Sequence, residues 1–103
     1  MVGDYTPRQV AELVEAGKVQ LIDVREPDEF AKGRLPGAIN VPLSRLRERW
    51  TELPSDREIW LTCAVGQRAY YATRFLAQHG FRVRNLSGGF GTYRAMRAAG
   101  LVS

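Results

Sequence analysis

Residues 59–80 read IWLTCAVGQRAYYATRFLAQHG, a short apolar segment followed by a longer amphipathic one. The apolar run 59–62 is too short for a helix and predicts a buried strand. Over residues 67–79, small and apolar side chains recur at helical spacing, and Gly80 is a typical helix C-cap. The segment therefore predicts a strand, a tight loop that begins at Cys63, and a helix.

The same alternation of short apolar runs and helical patterns continues on both sides of this segment. A capping box from Thr6 to Gln9, with Pro7 at the first helical position, predicts a helix that ends at Gly17. Further strands are predicted at 21–24, 38–41 and 83–86, and a Pro36-Gly37 turn leads into the second of them. Further helices are predicted at 27–31, from a Ser44 cap to residue 49 or 50, and after a Ser87-Gly88-Gly89 turn. Strands separated by helices predict an α/β fold with a parallel sheet covered on both faces.

Length and composition predict one domain, residues 1–103, with 45% hydrophobic and 25% charged residues, as in ordinary globular proteins. No apolar run approaches the ~18 residues of a membrane span, so we expect no membrane partner. The N-terminal residues lack the pattern of a secretion signal. A single cysteine cannot form an internal disulfide, and together these features predict a cytoplasmic protein.

The net charge is +4, from 15 Lys and Arg against 11 Asp and Glu. The basic residues are scattered, and their densest cluster, Arg45, Arg47 and Arg49, is interrupted by Glu48. Nucleic-acid tails use uninterrupted basic runs, so we expect no nucleic-acid partner. A small anionic substrate agrees better with this distribution, although charge alone does not establish it.

Cys63 is the candidate reactive residue, since ligands of parallel sheets bind outside the carboxyl ends of the strands. Gly66 allows a tight turn after it, and the helix N-terminus and Arg68 would make a partly exposed, electropositive pocket that stabilises a thiolate. A lone cysteine after an apolar strand is, however, commonly a buried small hydrophobic residue. The local pattern leaves both interpretations open.

Four motifs, in order along the chain, resemble the signatures of rhodanese domains. They are LIDVRE at 21–26 with Glu29-Phe30, GRLPGAIN at 33–40, CAVGQR at 63–68 and NLSGGF at 85–90. The resemblance implies a three-layer α/β/α domain around a five-stranded parallel sheet, and a sulfurtransferase that needs neither a metal nor an organic cofactor. It implies that Cys63 is the nucleophile, which accepts sulfane sulfur as a persulfide and passes it to cyanide or a thiol.

The resemblance also implies which residues bind the transferred sulfur: the loop Ala64, Val65, Gly66, Gln67 and Arg68. Thiosulfate, polysulfide or a low-molecular-weight persulfide would be the small anionic donor. Rhodaneses that use thiosulfate well tend to carry cationic residues where this chain has Ala64 and Val65. We therefore expect thiosulfate to be a poor donor. A second departure, Arg34 where many rhodaneses have histidine, concerns a position that we interpret as structural.

The form of the loop, Cys-x-Val-Gly-x-Arg, is similar to that of rhodanese domains joined to flavin-dependent CoA-disulfide reductase-like proteins. A flavin-dependent disulfide reductase domain is therefore a possible partner in a parent chain, with CoA persulfide among the possible donors. Cysteine phosphatases place five residues between the cysteine and the arginine, whereas four separate Cys63 from Arg68. Phosphatase or arsenate reductase activity is less favoured for that reason. A binding module without turnover is less favoured because such domains usually lack the cysteine.

Two charged residues at the end of the predicted strand 21–24, Asp23 and Arg25, are possible supporting residues of the site. Asp23 could orient the loop that carries Cys63 or accept hydrogen bonds from nearby backbone. Arg25 could add positive potential, but we favour an ion pair with Glu29 at the start of the next helix. His79 lies at the far end of its helix from Cys63 and is not expected to act as a base.

Overall fold

The computed structural model describes residues 5–64 and 67–86. The Ser87-Gly88-Gly89 turn, the final helix and the end of the NLSGGF motif lie outside these residues. The helices are α1 (Pro7–Glu15), α2 (Pro27–Ala31), α3 (Leu46–Arg49) and α4 (Gln67–Gln78), with 3-10 turns at Leu43–Arg45 and Trp50–Glu52. The strands are β1 (Val19–Asp23), β2 (Ile39–Asn40), β3 (Glu58–Thr62) and β4 (Val83–Asn85).

The strands form one parallel sheet in the order β2-β1-β3-β4. Helical structure follows β1, β2 and β3, as the crossover connections of a parallel sheet require. The described residues thus supply four of the five strands that the family resemblance implies. Because β1 and β3 are the two central strands, the residues that follow them meet at the middle of the carboxyl edge.

Alternating side chains of the central strands divide the core into two layers. Leu21 and Trp60 pack under α1 together with Val10, whereas Ile22 and Leu61 pack under α4. Both layers are buried, so the sheet is covered on both faces, as the sequence predicts. The α/β prediction is confirmed, and the helix on the second face, α4, begins at the carboxyl edge of β3.

The capping box before α1 and the Pro36-Gly37 turn before β2 both lie where local sequence patterns predict them. Thr6 Oγ1 accepts a hydrogen bond from the Gln9 amide at 3.1 Å, and Gln9 Oε1 accepts one from the Thr6 amide at 2.8 Å. Gly37 has a φ of +84°, and a Cβ there would lie 3.1 Å from Val14 Cγ1. The turn before β2 therefore requires glycine both for its backbone and for its close approach to α1.

The predicted Ser44 cap is wrong. A 3-10 turn occupies residues 43–45 and α3 starts only at Leu46, with no side chain capping it. The Ser44 hydroxyl instead donates to the Glu26 carboxylate, at 3.1 and 3.2 Å from its two oxygens. A distant acceptor thus replaces the local backbone amides as the partner of this hydroxyl.

None of the described helices is long and apolar enough to cross a membrane.

Candidate active site

Cys63 directly follows β3 and lies at the middle of the carboxyl edge of the sheet. Its Sγ accepts a hydrogen bond from the amide of Ala69 at 3.3 Å. Ala69 is the third residue of α4, so this amide is one of the donors that a helix N-terminus leaves without intrahelical partners. The first turn of α4 therefore directs an amide dipole at the sulfur atom, where it stabilises negative charge.

The expectation that Cys63 is partly exposed is wrong. The residue is fully buried and packs in the core layer under α4, beside Val24 and Leu61. It is buried because β3 continues in extended form to the sheet edge while α4 returns over it. Burial alone would fit a small hydrophobic residue, but the hydrogen bond from Ala69 gives the sulfur a polar partner.

The predicted sulfur-binding loop is described only in part. Ala64 is half-buried beside Cys63, Gln67 is exposed at the start of α4, and Val65 and Gly66 lie outside the described residues. The role of the amides from Ala64 to Arg68 therefore stays a prediction. The Ala69 amide lies one residue beyond this predicted set.

Arg68 forms a two-point ion pair with Glu29. Its Nη1 lies 2.6 Å from Glu29 Oε1 and its Nη2 lies 2.9 Å from Oε2, and both side chains are about one-third exposed. This pair joins the first turn of α4 to α2, across 39 residues of sequence. The guanidinium that the sequence assigns to the substrate is thus already bound to a carboxylate.

The pair also changes the acid–base behaviour of both groups. Hydrogen bonds from Arg68 lower the pKa of Glu29 from 4.5 to about 2. The Glu29 carboxylate raises the pKa of Arg68 above its ordinary value, and negative charge at Cys63 contributes to this effect. Because the Glu29 pKa is lowered on folding, the pair stabilises the fold above about pH 4.5, and this contribution is lost as the pH falls toward 2.

Asp23 accepts a hydrogen bond from nearby backbone, which confirms one of its two predicted roles, and its ion-pair partner is Arg25. Arg25 Nη2 lies 2.8 Å from Asp23 Oδ2, Nε lies 3.0 Å from both carboxylate oxygens, and the Arg25 amide donates to Oδ1 at 2.9 Å. Arg25 Nη2 also donates to the Gly33 carbonyl at 2.6 Å. The predicted Arg25–Glu29 pair is wrong, since the turn after β1 directs Arg25 inward, where Asp23 is fully buried.

Sequence reasoning assigned no role to Asn40, which holds the same turn. Its Nδ2 donates to the carbonyls of Asp23 and Arg25 at 3.0 and 2.8 Å. Asn40 is the last residue of β2, the strand beside β1. The only sequence signal for this contact is its position at the end of the GRLPGAIN motif.

His79 and the groove beside α4 lie outside this constellation. His79 follows the last residue of α4, where its ring stacks on Trp50 at a centroid distance of 4.1 Å. This confirms that it lies at the far end of the helix from Cys63. A groove of about 400 Å³ between α4 and the segment 43–47 is not lined by Cys63. Within the described ranges, no group of three His, Cys, Asp or Glu side chains could hold a metal ion.

Comparison with known proteins agrees with this geometry. The rhodanese-like domain family matches residues 6–96, so the chain belongs to the rhodanese family. A sulfurtransferase of Allochromatium vinosum is 40% identical over 78 residues, covering 75% of this chain and 73% of that protein. The thiosulfate sulfurtransferase GlpE of Shewanella oneidensis is 30% identical over 91 residues, covering 87% and 90% of the two chains.

Solved structures place the fold in the same family. The reduced CoADR-RHD protein of Bacillus anthracis superposes with a TM-score of 0.82 at 40% identity, over 99% of this chain but only 18% of that one. Human TSTD1, a single-domain sulfurtransferase, has a TM-score of 0.69 at 26% identity and covers 82% and 88% of the two chains. The predicted rhodanese fold is confirmed, and the chain is a rhodanese-type sulfurtransferase.

Proposed function

We propose that Cys63 carries sulfur between a donor and an acceptor as a persulfide. In the first half-reaction the Cys63 thiolate attacks the sulfane sulfur of the donor, an S–S bond forms on the enzyme, and the donor's own S–S bond breaks. With thiosulfate the leaving group is sulfite, and with a persulfide it is a thiolate. In the second half-reaction cyanide or a thiol takes the outer sulfur and Cys63 leaves as the thiolate.

The observation that carries this proposal is the hydrogen bond from the Ala69 amide to Cys63 Sγ. A helix N-terminus stabilises an anion placed against it, and a sulfur nucleophile is an anion both before it attacks and after it leaves. Attack by a thiolate transfers no proton, so the two half-reactions as written need no general base. The loop amides from Ala64 to Arg68 would hold the outer sulfur of the persulfide.

The donor is proposed to be a low-molecular-weight persulfide or a polysulfide rather than thiosulfate. Support comes from Ala64 and Val65, which follow Cys63 in the sequence and carry no positive charge. The likeness to CoADR-RHD supports a flavin-dependent disulfide reductase domain as a partner, in the same chain or a separate one. We also propose a cytoplasmic location, since a reducing compartment keeps a lone catalytic thiol free of disulfides.

Turnover with defined donors tests this function. We expect thiocyanate to form from cyanide with an alkyl persulfide or polysulfide as donor, more slowly with thiosulfate, and no phosphate release from p-nitrophenyl phosphate. Hydrolysis of the phosphate ester without thiocyanate formation would instead support a cysteine phosphatase. If the protein turns over none of these substrates, the result would support a binding module without turnover.

A further inference from the structure

A cation that interacts electrostatically with the reactive cysteine, Arg68, is neutralised within the fold. Arg68 immediately precedes Ala69, whose amide contacts Cys63 Sγ, and both guanidinium Nη atoms bind the Glu29 carboxylate. Glu29 is held in place in turn, because its Oε1 also accepts the Glu26 amide at 3.1 Å. Both carboxylate oxygens of Glu29 thus accept hydrogen bonds, which fix the orientation of the group. Its lowered pKa of about 2 keeps it charged at any physiological pH.

A second guanidinium at this edge of the sheet, that of Arg25, is balanced in the same way. Arg25 binds the buried Asp23 carboxylate through its Nε and one Nη atom. Within residues 5–64 and 67–86, each of these two arginines therefore has a carboxylate against it. Among the described residues, a donor approaching Cys63 therefore meets the Ala69 amide dipole and these two balanced ion pairs.

We propose that Glu29 is a specificity-determining positioning residue, which withholds Arg68 from the donor and so favours persulfides of low charge over dianions such as thiosulfate. This inference rests on the proposed sulfur transfer at Cys63 and adds to it the residue that decides between the two classes of donor. Thiosulfate brings two negative charges toward a thiolate, whereas an alkyl persulfide brings at most one. The charge of the site therefore affects the two donors unequally.

The loading step is the same for both donors except for the charge of the leaving group. From thiosulfate, the Cys63 thiolate takes the outer sulfur and sulfite departs as a dianion with the electron pair of the broken S–S bond. From an alkyl persulfide, a thiolate departs with one negative charge. A guanidinium released from Glu29 would stabilise the dianion more, by about tenfold for one additional charge in a partly solvated site.

Replacing Glu29 by glutamine tests the proposal, because glutamine keeps the size of the side chain and removes its charge. We would measure kcat/KM for thiosulfate and for 2-hydroxyethyl persulfide, with cyanide as acceptor. In a ping-pong cycle each value reports the loading step alone. E29Q should raise the ratio of the thiosulfate value to the persulfide value by about tenfold. The matched control is D28N, which removes the same charge from the neighbouring exposed residue and should leave the ratio within twofold.

A second variant gives the opposite expectation. Replacing Arg68 by methionine leaves the Glu29 carboxylate unneutralised near the site and should lower the same ratio by about tenfold. If the pair only braces the loop, E29Q and R68M would reduce both donors alike and leave the ratio unchanged, which would overturn the inference. If the wild-type protein loads sulfur from neither donor, the proposed function itself fails, and this result is distinct from an unchanged ratio.

Discussion

Replacing Asp23 by alanine should lower the free energy of unfolding by about 3–5 kcal/mol, the cost of breaking a buried ion pair on one side. The substitution removes the carboxylate that binds the Arg25 backbone and guanidinium, while the arginine side chain stays 7% exposed. A domain of this size has a total stability of roughly 5–15 kcal/mol, so the loss is a large fraction of it. Urea unfolding followed by circular dichroism would measure a midpoint lower by about 2 M.

Two further variants make this result interpretable. Replacing both residues, Asp23 by alanine and Arg25 by methionine, should restore part of the lost stability, because no buried charge is left without its counter-charge. Replacing Asp56, which pairs with Arg57 on the surface, should change the midpoint little. An Asp23→Ala midpoint equal to that of the wild type would contradict the role given to this pair. If Asp23→Ala does not fold, Asp23→Asn offers the milder measurement.

Replacing Cys63 by serine should reduce thiocyanate formation by at least about a thousandfold, since the hydroxyl cannot form a persulfide. The fold should persist, because the serine oxygen can accept the same Ala69 amide that now contacts the sulfur. Turnover with an alkyl persulfide and cyanide measures the first effect, and the urea midpoint measures the second.

The matched control for Cys63 is His79→Gln. His79 is the only histidine and lies past the far end of α4, so its replacement should leave turnover unchanged. Retention of turnover by Cys63→Ser would show that another group carries the sulfur. Loss of turnover in His79→Gln would show that the cycle needs a base, against the mechanism proposed here.

Features set by neighbouring residues were predictable from the sequence. Short-range spacing determines the Thr6–Gln9 capping box, the position of β3 and the start of α4 at Gln67. All three are observed at the predicted positions. These elements are enough to place Cys63 at the carboxyl edge of a parallel sheet. The reaction class followed from motif order, which the family match confirms.

The ion pairs of the site were not predictable, because they depend on which segments meet in three dimensions. Helical spacing favoured Arg25 with Glu29, four residues apart, yet Glu29 binds Arg68 and Arg25 turns inward to Asp23. The burial of Cys63 stayed undecided in the sequence for the same reason, since it depends on how closely α4 packs against the end of β3. Long-range packing thus decides the electrostatics of a site whose position local signals reveal.

The central claim, that Cys63 holds the sulfur between two separate half-reactions, is tested most directly by a single-turnover experiment. The reduced protein would be loaded with an alkyl persulfide, freed of donor by gel filtration, examined by intact mass spectrometry and then mixed with cyanide. We predict a gain of one sulfur atom per chain, release of one equivalent of thiocyanate and return to the original mass. An unchanged mass after loading, with thiocyanate formed only while donor is present, would contradict the account.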